Sequence, residues 1–265
     1  MLDPKPILKW AGGKQSLAKQ LIAAFPANFS RYYEPFLGGA SVLLEASPRE
    51  AIVGDGNEWL LDTYSAVRRS WRRVAQALDR LRNTRADYER IRRRSPEDFD
   101  LYERAAQLIY LNKTCFRGLF RVNRKGEFNV PYGAYARRYY DPDNLAAFSR
   151  RLRQVVLRRG DFETVCADVS QGDFVYFDPP YYKLGGYSDF NRYTPRQFRE
   201  DDHRRLASLC KELTRSGVCW AVSNSDTEFV RHLFNGHNMV RLSGRREINL
   251  NSSKRGVTEL LITNY

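Results

Sequence analysis

Apolar positions along this chain follow two rhythms. Near both ends they gather in short runs, at 31–36, 51–55, 155–157, 174–177, 218–222 and 259–263, each of strand length. The runs at 155–157 and 174–177 are apolar or aromatic throughout, as expected of parallel strands covered on both faces. Between the runs the spacing lengthens to the helical period, at 16–25, 40–45 and 194–216. The last of these carries Thr194 as a cap, Pro195 at the first helical position, acids early and Gly217 as a stop. Strands alternating with helices predict an α/β fold, a sheet with helices on both faces.

The middle of the chain breaks this alternation. Leu60, Tyr64, Val67, Trp71, Val74, Leu78 and Leu81 recur at steps of four and three, which predicts helix through 60–94. The run is short for a coiled coil, so an amphipathic helix packed on its own domain is expected. Residues 110–133 are instead dense in Gly, Asn, Arg and aromatics. The pattern divides the chain into a discontinuous core, 1–58 and 137–265, and an inserted domain, 59–136.

Composition narrows the class. A chain of 265 residues with 42% hydrophobic content suits one large domain, or a core domain with an insert. Mean hydropathy is -0.60 and no apolar run could span a membrane. Met1 to Pro6 lacks a signal-peptide pattern, so an intracellular, cytoplasmic protein is expected, without a membrane partner. Cys115, Cys166, Cys210 and Cys219 form no CxxC pair, and His203, His232 and His237 no ligand cluster. Buried thiols and no metal centre are expected. The net charge of +13 and pI near 9.7 argue for a polyanionic partner. The charge concentrates in 68–94 and 117–138, with aromatics interleaved in the second block. Positive charge beside stacking rings suits nucleic acid.

Two glycine turns come next. Leu8-Lys9-Trp10-Ala11-Gly12-Gly13-Lys14-Gln15 resembles a phosphate loop, but Leu8 stands where that loop requires Gly and Gln15 where it requires Ser or Thr. An ATPase is therefore disfavoured, and Trp10 suggests a flat or cationic ligand. The second turn, Glu34-Pro35-Phe36-Leu37-Gly38-Gly39-Ala40-Ser41, ends one strand and opens a helix. Asp55 follows about 20 residues on, where nucleoside-binding α/β units commonly place the acid that takes a ribose hydroxyl.

Asp178-Pro179-Pro180-Tyr181 follows the apolar run at 174–177. A rigid turn would explain the prolines but neither the acid nor the ring. An exocyclic amine on a base is a poor nucleophile because its lone pair is delocalised into the ring. A carboxylate and a backbone carbonyl can accept its two hydrogens and localise that pair. Prolines fix the carbonyl and add no competing N–H. An adjacent aromatic ring can stack on a base taken out of the helix.

In this order the motifs resemble the DNA adenine-N6 methyltransferase (Dam) family, D12 class, over nearly the whole chain. The segments at 111–123 and 126–133 are similar to the recognition hairpin of the members that act on GATC. The resemblance implies a Rossmann-like, S-adenosylmethionine-dependent methyltransferase fold with an inserted, mainly helical DNA-recognition domain carrying a β-hairpin. It implies that Asp178, Pro179, Pro180 and Tyr181 are catalytic. It places Trp10, Ala11, Gly12, Lys14, Glu34, Pro35, Phe36, Gly38, Ser41, Asp55, Asp161, Phe162 and Asp178 around S-adenosylmethionine. Within that set Trp10 is implied to face the sulfonium or the adenine, Lys14 the methionine carboxylate, Asp55 the ribose or adenine edge, and Asp161-Phe162 the adenine. Double-stranded DNA is implied to meet Lys113, Phe116, Arg117, Leu119, Arg121, Asn123, Arg124, Lys125 and Pro131, with Leu119, Arg121 and Pro131 at base-reading positions. Arg117 departs from the pattern, since GATC members usually carry Asn there. The implied enzyme acts as a monomer, without a covalent intermediate, because the cofactor carries the activated group. A cytosine-C5 enzyme requires a Pro-Cys nucleophile, and the chain has none. The remaining rivals are an N6 methyltransferase acting on RNA or with relaxed DNA specificity, and a non-catalytic DNA-binding protein with a vestigial cofactor fold.

Overall fold

The structure is a computed structural model that describes residues 2–123, 125–182, 197–245 and 256–265. Its strands are β1 (Tyr32–Glu34), β2 (Ala51–Asp55), β3 (Val155–Arg159), β4 (Phe174–Phe177), β5 (Cys219–Ser225), β6 (Asn238–Arg245) and β7 (Gly256–Thr263). They form one sheet in the order β3-β2-β1-β4-β5-β7-β6. Neighbours from β3 to β5 are parallel, while β7 runs antiparallel to both β5 and β6. This mixed α/β sheet is the expected methyltransferase-type architecture. Helix α1 (Ala18–Ala23) precedes β1; the crossovers that parallel pairs require are supplied by α2 (Ser41–Ala46), α3 (Glu58–Asp79), α4 (Arg85–Arg92), α5 (Leu101–Thr114), α6 (Pro142–Leu152), α7 (Phe162–Val165) and α8 (Glu200–Arg215), and α9 (Glu228–Leu233) follows β5.

Side-chain alternation splits the core in two. Tyr32, Val53, Phe174, Tyr176 and Leu261 face one cluster, which takes in α3, α5 and α6. Tyr33, Ile52, Val175, Phe177 and Ile262 face the other, which takes in α7, α8 and α9. The first cluster runs without a break into the 59–136 block through Tyr64, Tyr88, Ile109 and Phe120. That block therefore shares its core with the sheet. Asp62 on α3, 4% exposed, accepts from Arg104 of α5 at 2.9 Å and from Arg159 of β3, so an ion pair ties the same elements.

Several boundaries differ from the periodicity. The helix expected through 60–94 is two helices. Asn57 caps α3 by accepting the Leu60 N–H at 3.0 Å, and Thr84 caps α4 by accepting that of Asp87 at 3.2 Å. A cap signal inside a helical pattern marks a new start. Helices α5 and α6 escaped the apolar pattern although both carry start signals. Asp100 and Glu103 form a capping box, and Asp141 caps α6 with Pro142 at its first position. For α8 the described helix begins at Glu200, while Thr194 and Pro195 lie outside the described residues. The apolar run at 155–157 is not covered on both faces, because β3 is an edge strand and Val156 is 52% exposed. Strand β6, the opposite edge, was not anticipated.

Candidate active site

Strands β1 and β4 are neighbours, but the sheet order runs from β1 to β2 on one side and from β4 to β5 on the other. Loops leaving the carboxyl ends of such a pair diverge, and ligands of α/β sheets bind between them. The 34–41 turn leaves β1 there, the 178–181 turn leaves β4, and Asp55 ends β2 beside them.

The 34–41 turn is built for close approach. Gly38 has φ +46, and a Cβ on it would lie 2.7 Å from Trp10 Cδ1. Only glycine lets the backbone pass under the indole. Asp55 holds the turn, accepting the Gly38 N–H at 2.9 Å and the Asn57 N–H at 2.9 Å, one on each oxygen. Each oxygen retains acceptor capacity for a ligand hydroxyl. Burial pushes the Asp55 carboxyl up to about 6, against the pull of those two backbone donors. Tyr64 of α3 anchors the turn from below, its hydroxyl donating to the Gly38 carbonyl at 2.6 Å. Ser41 opens α2 directly after Ala40, itself in the left-handed region. Gly12, with φ +83, makes the corresponding bend in the first loop, where the Gly13 N–H donates to the Trp10 carbonyl at 3.0 Å. An indole, a glycine backbone and a carboxylate gathered this way fit a nucleoside cofactor.

Lys14 joins this loop to the end of β4. It is 3% exposed, and its Nζ lies 2.7 Å from Asp178 Oδ1 and donates to the Gly12 carbonyl at 2.6 Å. The ammonium also sits 4.8 Å from the centre of the Tyr181 ring. Burial raises the Asp178 carboxyl to about 6, and the Lys14 charge opposes that rise. Asp178 is therefore mostly ionised at neutral pH. Glu34 lies deeper. Burial pushes its carboxyl up to about 8, opposed by the Tyr32 hydroxyl that donates to it at 2.9 Å and reinforced by Asp178. Pro35 and Pro179 are buried, while Pro180, Tyr181 and Asp178 are half-buried. Asn224 and Ser225 of β5 fix the exit of the turn: the Tyr182 N–H donates to Asn224 at 3.2 Å and the Ser225 hydroxyl to the Tyr182 carbonyl at 2.6 Å.

Phe36 stacks on Phe162 at 5.7 Å, and both contact Phe198. Phe162 is 2% exposed. Its neighbour Asp161 caps α7, accepting the Thr164 N–H at 3.0 Å, and pairs with Arg205 at 2.8 Å. This pair thus sits on the opposite side of the sheet core from Trp10, at the end of β3.

Trp10 also reaches the middle block, stacking on Phe120 at 4.8 Å with 23° between the planes. Around Phe120 the chain folds back as a hairpin. Val122 bridges Phe128 and Cys115 bridges Tyr132 in antiparallel fashion. At its tip Asn123 accepts the N–H groups of Lys125 and Glu127, so its side chain serves the turn. Arg124 lies outside the described residues. Lys125 and Pro131 are exposed, Leu119 half-buried, and Phe116 41% exposed. Arg121 donates to Asn129 Oδ1 at 2.7 Å and to the Asn129 carbonyl at 3.3 Å, across the hairpin. Arg117 has φ +60, a left-handed conformation that Asn adopts more readily than Arg. Its N–H donates to the Tyr135 hydroxyl at 2.8 Å. Burial, with Lys9 and Arg137 nearby, lowers Lys113 to about 8.

Besides Phe120, sequence reasoning missed Asn112 and Glu259. Asn112, fully buried, accepts the Lys9 N–H and donates to the Lys9 carbonyl, both at 2.8 Å, tying α5 to the first loop. Glu259 on β7 accepts the Tyr181 hydroxyl at 2.8 Å. Either could be suspected only as a polar residue within an apolar run. Among the described residues, no group of three His, Cys, Asp or Glu side chains is placed to hold a metal, and no helix is long and apolar enough to cross a membrane.

Comparison with known proteins identifies the family. The type II methyltransferase M.MjaIII of Methanocaldococcus jannaschii is 38% identical over 289 aligned positions, spanning all of both chains. The type II methyltransferase M1.LlaDCHI of Lactococcus lactis is 33% identical, over 100% of this chain and 96% of its own. The DNA adenine methylase of Haemophilus influenzae is 32% identical, over 98% of this chain and 93% of its own. The family model for the D12 class of N6 adenine-specific DNA methyltransferases matches residues 10–248. The chain belongs to that class and is an adenine-specific DNA methyltransferase.

Proposed function

We propose that this enzyme methylates N6 of adenine within GATC in double-stranded DNA, using S-adenosylmethionine, with the target adenine turned out of the duplex onto Tyr181. The observation that carries the reading is the meeting of Asp178, Tyr181 and Lys14 at the end of β4, one loop away from the Trp10–Gly38 turn. S-adenosylmethionine supplies the methyl group from a sulfonium, with no covalent enzyme intermediate. The chain's own residues do the rest. Trp10, the Gly38 backbone and Asp55 hold the nucleoside part. The ionised Asp178 accepts one N6 hydrogen and the Pro179 carbonyl the other, which restores the nitrogen lone pair. Tyr181 stacks on the base and sets its plane. Lys14 holds Asp178 in place and keeps it charged. The hairpin at 116–131 meets the duplex, and Arg117 occupies the space vacated by the flipped base.

Plasmid DNA propagated with the enzyme in a methylation-free host tests the reading by mapping modified bases. N6-methyladenine at GATC is expected, and its loss by at least 10²-fold in Asp178→Ala, the cost of removing one preorganised partner. Modification at a different sequence would refute the assigned target, and near-normal activity of Asp178→Ala would refute the chemistry.

A further inference from the structure

Glu259 is a carboxylate in an unusual place. It lies on β7, opposite Ser225 of β5 and Leu242 of β6. It is 6% exposed within the apolar run that continues through Leu260, Leu261 and Ile262. Burying a carboxylate is costly unless it is paired and hydrogen-bonded. The period of the strand puts it on the Leu261 side of the sheet, where the Lys14 loop also packs. One oxygen, Oε2, makes both contacts: it accepts the Tyr181 hydroxyl at 2.8 Å and lies 3.8 Å from Lys14 Nζ. Lys14 in turn touches Asp178 at 2.7 Å. A single carboxylate oxygen thus holds the two groups that flank Asp178. A fold that only needed to close its sheet would be served by an apolar residue at this position.

We infer that Glu259 is a positioning residue of the methyl transfer, fixing the Tyr181 ring through its hydroxyl and sharing the Lys14 ammonium with Asp178. The inference rests on the proposed roles of Asp178 and Tyr181. Tyr181 comes from a loop, and a ring on a loop swings unless its far end is tied. Glu259, on a strand paired on both sides, provides that tie. The negative charge of Glu259 also competes with Asp178 for Lys14 and so raises the Asp178 carboxyl.

Glu259→Gln tests this. The amide keeps the size but loses the charge, which weakens the hydrogen bond from the Tyr181 hydroxyl and releases Lys14. Misplacing a reacting group by about 1 Å costs on the order of 10²-fold in rate. A fall in kcat of roughly 10–100-fold is expected, with KM for DNA and cofactor little changed. The acidic limb of the kcat–pH profile should move to lower pH, because Lys14 is left to Asp178 alone. Tyr181→Phe removes the other end of the tie. If Glu259 acts through Tyr181, adding Glu259→Gln to Tyr181→Phe should cost much less than Glu259→Gln costs in the parent. Thermal melting of each variant separates loss of fold from loss of position. Parent kcat and an unmoved pH profile in Glu259→Gln would overturn the inference, as would a loss of kcat no larger than the fraction unfolded. Fully additive losses with an unmoved profile would do the same. A parent enzyme that methylates no adenine would instead defeat the functional reading itself, independently of Glu259.

Discussion

Glu34 shows how a single buried acid reads the pH of its surroundings. Its carboxyl lies beneath the active site with the Tyr32 hydroxyl as partner, and burial lifts it from near 4.5 to about 8. At neutral pH it is therefore mostly protonated, and the fold holds a proton there that the unfolded chain has released. Because the folded value is raised, its contribution to stability is fully present below about pH 4.5 and is lost as pH rises toward 8. Glutamine resembles the protonated acid in size and polarity. Glu34→Gln should thus match the parent near pH 4, within about 1 kcal/mol, and gain on it as pH rises toward 8. Denaturant unfolding at several pH values measures this. Parallel parent and variant curves across that range would show that Glu34 is ionised in the fold. The motif at 34–41 made this residue visible from sequence, but not its protonation, which depends on burial by elements far along the chain.

At the scale of elements, the periodic parts of the chain were legible and the joints were not. Strands β1, β2, β4 and β5 appear as apolar runs because both faces of the sheet are covered there. Edge strand β6 buries Leu242 but leaves Val240 56% exposed, so no run marks it. Helix α5 hides its pattern because it is buried nearly all round, through Gln107 and Asn112 as well as its apolar residues. The candidate site was legible as three motifs, since glycine turns and Asp-Pro-Pro-Tyr are local. Glu259, Asn112 and Phe120 were not read as site residues, since each acts through a contact made by folding. Phe120 is the case with a measurable consequence. It stacks on Trp10 of the first loop and meets Trp59 at 6.1 Å, so one ring joins that loop, proposed to hold the cofactor, to the hairpin. Ligands on either side of a shared contact can bias it, and the coupling is reciprocal. S-adenosylhomocysteine should therefore tighten duplex binding, and duplex should tighten S-adenosylhomocysteine binding, by the same factor, about 5–150-fold where such coupling operates. Phe120→Ala should bring that factor close to one. Calorimetry with each ligand, alone and over the other, decides it; an undiminished factor in Phe120→Ala means that the stack does not carry the coupling.

The whole molecule carries an excess of 13 positive charges, 44 basic against 31 acidic residues. Neutralised phosphates release counterions, so duplex affinity should fall steeply between low and physiological salt. Charge alone cannot select a sequence, however; under the proposed function the hairpin does that by placing a few side chains against base edges. Arg121 is the strongest candidate. Asn129 receives its Nε–H at 2.7 Å and a terminal N–H at 3.3 Å, which fixes the plane of the guanidinium before DNA arrives. A fixed planar fork suits guanine O6 and N7, a pair that discriminates by about 1–3 kcal/mol. A phosphate contact would gain little from such orientation. The two roles predict different data on a panel of duplexes, each with one base pair of GATC replaced. If Arg121 reads guanine, Arg121→Ala should lose rate on GATC but hardly at all on duplexes changed at one particular guanine, so those near-cognate sites become competitive. Asn129→Ala should shift the same position in the same direction by a smaller factor, because it leaves the fork in place but free to turn. If Arg121 only holds phosphate, every duplex should weaken together, the salt slope should drop by about one, and Asn129→Ala should leave the order of preference intact. Methylation rates across the panel separate the two, and a uniform loss in Arg121→Ala would remove the base-reading role.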